Sequence, residues 1–326
     1  MDFRGLRAFV EVFRQGGFSQ AAMVLNTTQS NVSKTVRQLE EEVGVRLLDR
    51  TGPHPRLTSG GEVAYARGLR LLADREDLLR ELAEIRNLRR GTLRLGLPPI
   101  GAGTLFAPLF TTYRARYPGI EIRLVEQGSD RLEDMLRAGE IDLGGLLLPV
   151  PEDLDWQSVR CEPVVAMVAA HHPLARFRSM TVATLADHPL ILFESGFALN
   201  ALILDACRQA SVTPRVIARS SQVDFIFELV AAGLGIGFLP RMLVEARHPA
   251  PDAPTPIHAI ALETPETKAP EIVWHMGLAW RRHGFLPAAA RAWLDLVKQD
   301  GANEPPQTNR PGGVPPGRDR EDERGR

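Results

Sequence analysis

Two periods run along the chain. Up to about residue 90, apolar positions recur at spacings of three and four, the signature of amphipathic helices. Leu6, Phe9, Val10 and Phe13 make one stripe, and Gly16-Gly17 ends that helix. Ser19 is placed to cap a short second helix through Leu25, whose Ala21 and Ala22 permit close packing. Asn26-Thr27-Thr28 reads as a tight polar turn, with Thr28 capping a third helix from Gln29 to Val43. Val32, Val36, Leu39 and Val43 form its inward stripe, which leaves Gln29, Ser30, Asn31, Ser33, Lys34 and Arg37 outside. The stretch VRLLDRTGPHPRLTSGG then sets two short apolar pieces around a Gly/Pro-rich loop carrying Arg50, His54 and Arg56, a β-hairpin pattern. From Gly60 to Arg90 the pattern is helical again, with Ala64, Leu71, Leu78, Leu82 and Ile85 on one side. A helix of about thirty residues would span roughly 45 Å. An amphipathic helix of that length generally pairs with another.

After Gly91 the grammar changes to alternating strands and helices. TLRLGL, IEIRLVEQ and IDLGGLLL read as strands, separated by helices from about Thr104 to Tyr117 and Asp130 to Ala138. A second set follows, with strands at EPVVAMVAA, PLILFES, RVIARSS and GIGFLP and helices from about Phe197 to Ala210 and Asp224 to Ala232. EIVWHMGLAWRR and a helix from about Pro287 to Lys298 close the pattern. Such alternation argues for α/β units around a parallel core.

Composition changes this picture little. With 39 basic and 40 acidic residues the net charge is −1, so any surface suited to nucleic acid must be local. Two cysteines, Cys161 and Cys207, make neither a disulfide framework nor a CxxC pair, and read as reduced thiols. The N-terminal segment is amphipathic and charged, unlike a signal peptide, and no apolar run reaches membrane-spanning length. A cytoplasmic location without membrane contact is the expectation. The stretch after Asp300 is rich in Pro, Gly and charge and is expected to be disordered. Walker A, GxSxG and HExxH patterns are absent, so no catalytic residue, metal or cofactor is assigned and an enzyme is not expected. The glycines of AAGLGIGFLP follow a helix and precede a strand, the reverse of the dinucleotide-binding order.

The opening helices carry more chemistry. A helix that reads base edges in the major groove needs Gln, Asn, Ser, Lys and Arg on its leading turns. Here they follow a compact Ala-rich helix and a tight turn, and precede a wing whose Arg50, Arg56 and Thr58 suit phosphates beside the groove. Phe18, Ser19, Ala21, Ala22, Gln29, Ser30, Val32, Ser33, Leu39, Glu40, Gly44, Val45, Leu47, Arg50, Leu57, Thr58 and Gly61 fall in register with one family pattern. On these residues the N-terminal region resembles the LysR-type transcriptional regulators. Leu48 departs from it where Phe is usual, and Ser30 where Pro is common.

The resemblance implies a winged helix-turn-helix over 1–59, a dimerising linker helix over 60–90 and a two-lobed α/β effector domain over 91–300 resembling periplasmic binding proteins. Lobe I would hold about 91–160 and 266–300, lobe II about 161–265, with a tail at 301–326. It implies a homodimer or homotetramer on double-stranded operator DNA, a small-molecule effector, and RNA polymerase as a candidate partner. Ligands of such two-lobed domains sit outside the carboxyl ends of strands. Three strand-to-helix loops there are small or polar, which nominates Pro99, Ile100, Gly101, Thr104, Ser195, Gly196, Phe197, Ser221 and Phe225, the two Phe as apolar walls. Helix N-termini favour a small organic anion of modest charge, since Arg219 is the sole basic residue near these loops. A solute-binding module without regulatory DNA binding shares the cleft, and the DNA-reading segment separates the two readings.

Overall fold

The computed structural model of the chain describes residues 2–86, 91–247, 256–264, 267 and 270–302. Helix α1 (Phe3–Arg14) starts where the Asp2 carboxylate accepts from the Gly5 N–H at 2.6 Å. Helix α2 spans Phe18–Val24 and α3 spans Gln29–Val43. The Thr28 hydroxyl caps α3 as its pattern predicts, accepting from the Asn31 N–H at 3.3 Å. Ser19 is not the cap of α2. Gly17 is, because its carbonyl takes the first helical bond from the Ala21 N–H at 3.1 Å, and Ser19 sits exposed in the first turn. Val43 also departs from expectation at 40% exposure: α3 outruns the core that covers Val32, Val36 and Leu39.

The wing is two residues deep on each side, β1 (Leu48–Asp49) antiparallel to β2 (Arg56–Leu57). Glu40 of α3 holds it. Its carboxylate accepts from the N–H groups of Leu47 at 2.8 Å and Leu48 at 3.1 Å and from Arg50 at 2.8 Å. Helix α4 (Ser59–Arg86) follows, and Thr58 caps it by accepting from the Gly61 N–H at 3.0 Å. A Cβ on Gly61 would lie 2.0 Å from the Leu47 carbonyl oxygen, so only glycine lets the helix start against the wing. Residues 87–90 of the expected linker, the Ile85 side chain, and the tail from 303 on lie outside the described residues.

Lobe I is built from β3 (Gly91–Leu97), α5 (Ala102–Arg116), β4 (Ile120–Glu126), α6 (Ser129–Arg137) and β5 (Leu143–Leu147). Strands β4, β3 and β5 are parallel neighbours. The long β6 (Leu154–Ala169) leads into lobe II, which holds β7 (Ser179–Met180), β8 (Pro189–Phe193), α7 (Ala198–Gln209) and β9 (Arg215–Ser220). Helix α8 (Val223–Ala231), β10 (Gly237–Pro240), α9 (Arg241–Glu245) and β11 (Ile257–Leu262) complete that lobe. Strand β12 (Val273–Arg281) and α10 (Ala288–Ala302) return to lobe I.

The expected parallel pairing holds for β4-β3-β5 in lobe I and for β8-β9 and β11-β7 in lobe II, while β12 pairs antiparallel with β5. β6 pairs antiparallel with β12 over Leu154–Pro163, then antiparallel with β10 and β11 over Val164–Ala169. One strand thus belongs to both lobes, which gives a mixed sheet in the order β4-β3-β5-β12-β6-β11-β7. Buried Tyr113 and Trp293 lock α10 against α5, with the Tyr113 hydroxyl donating to the Ala289 carbonyl at 2.7 Å.

Buried charge ties α4 to lobe I. Asp77 accepts from Arg80, from Arg281 and from the Phe285 N–H at 3.0 Å. Asp142 accepts from Arg80 and, at 2.6 to 3.2 Å, from the side chain and N–H of Arg94.

Candidate DNA-binding surface and effector cleft

On α3, Gln29, Ser30, Asn31, Lys34 and Arg37 are exposed and Ser33 is half-buried. Because Val32, Val36 and Leu39 are drawn inward, the polar residues share one outward arc. Ser30 and Asn31 make local bonds, Ser30 to the Thr28 hydroxyl at 3.1 Å and the Asn31 amide to the Thr27 hydroxyl at 2.9 Å. These fix the leading turn.

The wing residues stand differently. Arg50 is held by Glu40 and stacks over the Phe18 ring at 5.1 Å, so it braces the wing as well as facing out. The Thr58 hydroxyl is engaged at both ends, donating to the Arg46 carbonyl at 2.6 Å besides capping α4. Arg56 is exposed at the wing. His54 bonds the Gly16 carbonyl at 3.2 Å and fastens the wing tip to the turn before α2. Glu40, which holds Arg50 and the N–H groups of Leu47 and Leu48, is visible in the sequence only as part of a motif.

A cleft of about 790 Å³ opens between the lobes, at the carboxyl ends of β3, β4, β8 and β9. Pro99, Gly101 and Thr104 line it from lobe I, and Ser195, Gly196, Phe197 and Ser221 from lobe II. Ile100 and Phe225 do not. Ile100 is 3% exposed and packs in the lobe II core, while Phe225 is 52% exposed because Ile226 and Val230 take the inward face of α8.

Buried Asn200 shapes the loop after β8. Its side-chain oxygen accepts from the Phe193 N–H at 3.0 Å, and its amide donates to the carbonyls of Phe193 and Glu194. Phe197 stacks on Phe193 at 5.4 Å. The lobes meet at Gly128 and Gly196, where a Cβ on Gly128 would lie 2.8 Å from the Gly196 carbonyl oxygen.

The electrostatics are richer than the loops suggest. Helices α5, α6, α7 and α8 all begin at the cleft, and none has a side-chain cap. Asp130 and Asp224 offset the dipoles of α6 and α8 from their first turns. Helices α5 and α7 have no first-turn acid, so their N–H groups are the uncompensated positive ends. Two arginines also reach the cleft from outside these three loops: Arg131 on α6 and Arg247 in the turn just beyond α9. Arg247 pairs with Asp224 at 2.9 Å, and Arg131 lies 3.7 Å from Glu140. Arg219 is turned away and donates to the Phe193 carbonyl at 3.1 Å. Glu126 and Glu194 add negative charge to the wall.

Burial pushes both thiols above their ordinary range, Cys161 with help from Glu162, which makes neither a reactive thiolate. No group of three or more metal-binding side chains occurs among the described residues. Among them no helix is long and apolar enough to cross a membrane.

Comparison with known proteins places both halves. Residues 3–62 match the family described as bacterial regulatory helix-turn-helix protein, lysR family, and residues 86–302 match the LysR substrate binding domain. An uncharacterized HTH-type transcriptional regulator of Bacillus subtilis, YwbI, is 33% identical over 91% of this chain and 96% of its own. A full-length OxyR variant from Pseudomonas aeruginosa superposes with a TM-score of 0.64 at 28% identity, over 91% of this chain and 95% of that one. The effector binding domain of QuiR in complex with shikimate shares the fold at TM-score 0.57 and 18% identity, over 65% of this chain and 98% of that domain.

Proposed function

This chain belongs to the LysR family of DNA-binding transcriptional regulators, and from that premise we propose how it reads DNA and what its effector domain holds. The outward arc of α3 enters the major groove: Gln29, Asn31, Lys34 and Arg37 face base edges, with Ser19, Ser30, Ser33, Arg50, Arg56 and Thr58 beside the backbone. Two copies join through α4, where Leu71, Leu78 and Leu82 stand 41%, 56% and 50% exposed in the single chain. A homodimer, or a homotetramer of two such dimers, then offers paired reading helices to an operator in the cytoplasm, with RNA polymerase recruited or blocked there.

The effector is a small organic anion, held without turnover in the interlobe cleft. The observation that carries this reading is that the uncapped, uncompensated N-termini of α5 and α7 open on one cleft from the two lobes. A carboxylate there takes N–H donors from both lobes and favours the closed arrangement, so it shifts the equilibrium by its differential affinity. Four acidic residues line the same wall, which favours a single negative charge over a multiply charged ester.

Thr104→Trp and Ser221→Trp test the site. Each should abolish the response of operator binding to an added effector while leaving effector-free DNA affinity within about twofold, since neither approaches α3. A normal response in both variants would remove the cleft assignment.

A further inference from the structure

A second cavity, of about 550 Å³, lies where α1 faces α4 and the end of α6 in lobe I. One stripe of α1 supplies its wall: Arg4, Arg7, Glu11 and Arg14 recur at spacings of three and four and share a helix face. Arg75 and Glu76 enter from α4, and Arg94 and Glu140 from lobe I. Five cations therefore meet three carboxylates around one space.

The pairings show which charges are left over. Glu11 and Glu140 both engage Arg14, and Glu76 engages Arg75. Arg94 is committed to Asp142 and to the Gly139 carbonyl. Arg4 and Arg7 carry no partner among the described residues, a surplus of two positive charges at adjacent turns of one helix. Arg14 stands behind them, its Nε and Nη2 enclosed by protein without an acceptor, on a side chain 11% exposed. The forked donors of Arg4 and Arg7 suit tetrahedral or planar oxyanions.

We propose that this junction cavity binds a phosphate dianion, as inorganic phosphate or a phosphate monoester. Arg4 and Arg7 neutralise the two charges, and the positive charge of Arg14 behind them adds to the field. The three walls come from the DNA-binding region, the linker helix and lobe I, so a bound phosphate clamps the reading head to the effector domain. The site is separate from the interlobe cleft and is independent of the effector assigned there.

The test is calorimetric titration of the full-length protein with inorganic phosphate and, separately, with glycerol phosphate, above about pH 7 where a monoester is mostly doubly charged. Ionic strength is held constant with chloride. Arg4 and Arg7 are exposed, so the double variant Arg4→Gln/Arg7→Gln should fold. Saturable binding of either probe is expected, weakened at least tenfold in that variant and unchanged in Thr104→Trp. The tighter probe identifies the source, free phosphate or an ester. Absence of saturable binding of both probes, or binding that survives the double substitution, overturns the proposal. Binding lost in Thr104→Trp overturns it too, by placing the anion in the interlobe cleft. If the double variant loses operator affinity while the wild type binds neither probe, the arginines meet the DNA backbone and the site is refused.

Discussion

Replacing Glu40 by alanine should unfasten the wing. Its carboxylate is the acceptor for two backbone N–H groups and one guanidinium, at 2.8, 3.1 and 2.8 Å. Leu47 and Leu48 are buried, so water cannot fully replace the lost acceptor for their N–H groups. Hydrogen bonds to a charged group contribute about 1.5–3 kcal/mol each when the partner is left unsatisfied. The Arg50 contact is partly exposed and adds at most about 1 kcal/mol. Two backbone bonds plus that pair put Glu40→Ala at about 3–5 kcal/mol, allowing for partial relaxation. Glu40→Gln keeps an oxygen for both N–H groups and loses the ion pair, so it should cost about 1–1.5 kcal/mol. Hydrogen exchange at Leu47 and Leu48, with operator affinity alongside, reads the difference. The alanine variant should lose protection at both amides and bind operator at least tenfold more weakly, while the glutamine variant stays within about fivefold. Retained protection in Glu40→Ala, or equal damage from both substitutions, would refute the hub role.

Three other outcomes follow from particular contacts. Leu78→Glu/Leu82→Glu should lower the dimer fraction measured by light scattering, and an unchanged mass would place that stripe outside the interface. Gly128→Ala should hold the lobes apart, because its Cβ meets the Gly196 carbonyl oxygen at 2.8 Å. Faster hydrogen exchange over residues 194–197 is the expected reading, and unchanged exchange counts against a closed crossing. The third concerns acid. Burial lowers the folded pKa of His172, with help from His188 and His171, and that of His275 below their ordinary 6.5. The unfolded chain therefore binds more protons between each folded pKa and 6.5, and stability falls as pH drops through that window. His275→Gln should flatten the acid side of a melting-temperature profile, and an unaltered slope would exclude His275 as a contributor.

The N-terminal elements were legible because their apolar period is strong and their caps are local. Thr28 is read correctly since its own hydroxyl does the capping. Ser19 misleads because Gly17 caps with its backbone alone, which leaves no residue signature. Strand β6 begins eight residues before the expected segment, since Asp155, Gln157, Ser158 and Arg160 mask a strand whose partner, β12, lies more than a hundred residues on. Strand β11 was missed as a short apolar run with no flanking pattern. In the cleft, loop chemistry leads to the lining residues Thr104, Ser195 and Ser221. Arg247 could not be found that way, because it reaches the site through the tertiary path of α9 and its contact with Asp224. Phe225 does not line the cleft for a rotational reason: Ile226 and Val230 of α8 claim the inward face.

Base reading by α3 is the central claim, and one measurement meets it directly. An operator is first selected by the full-length protein from random duplexes. Wild type, Gln29→Ala and Asn31→Ala are then titrated at moderate salt against that duplex and its single base-pair variants. Each substitution should cost about 1–3 kcal/mol and erase discrimination at one position while preserving it elsewhere. Affinity and base preference unchanged in both variants would contradict the account.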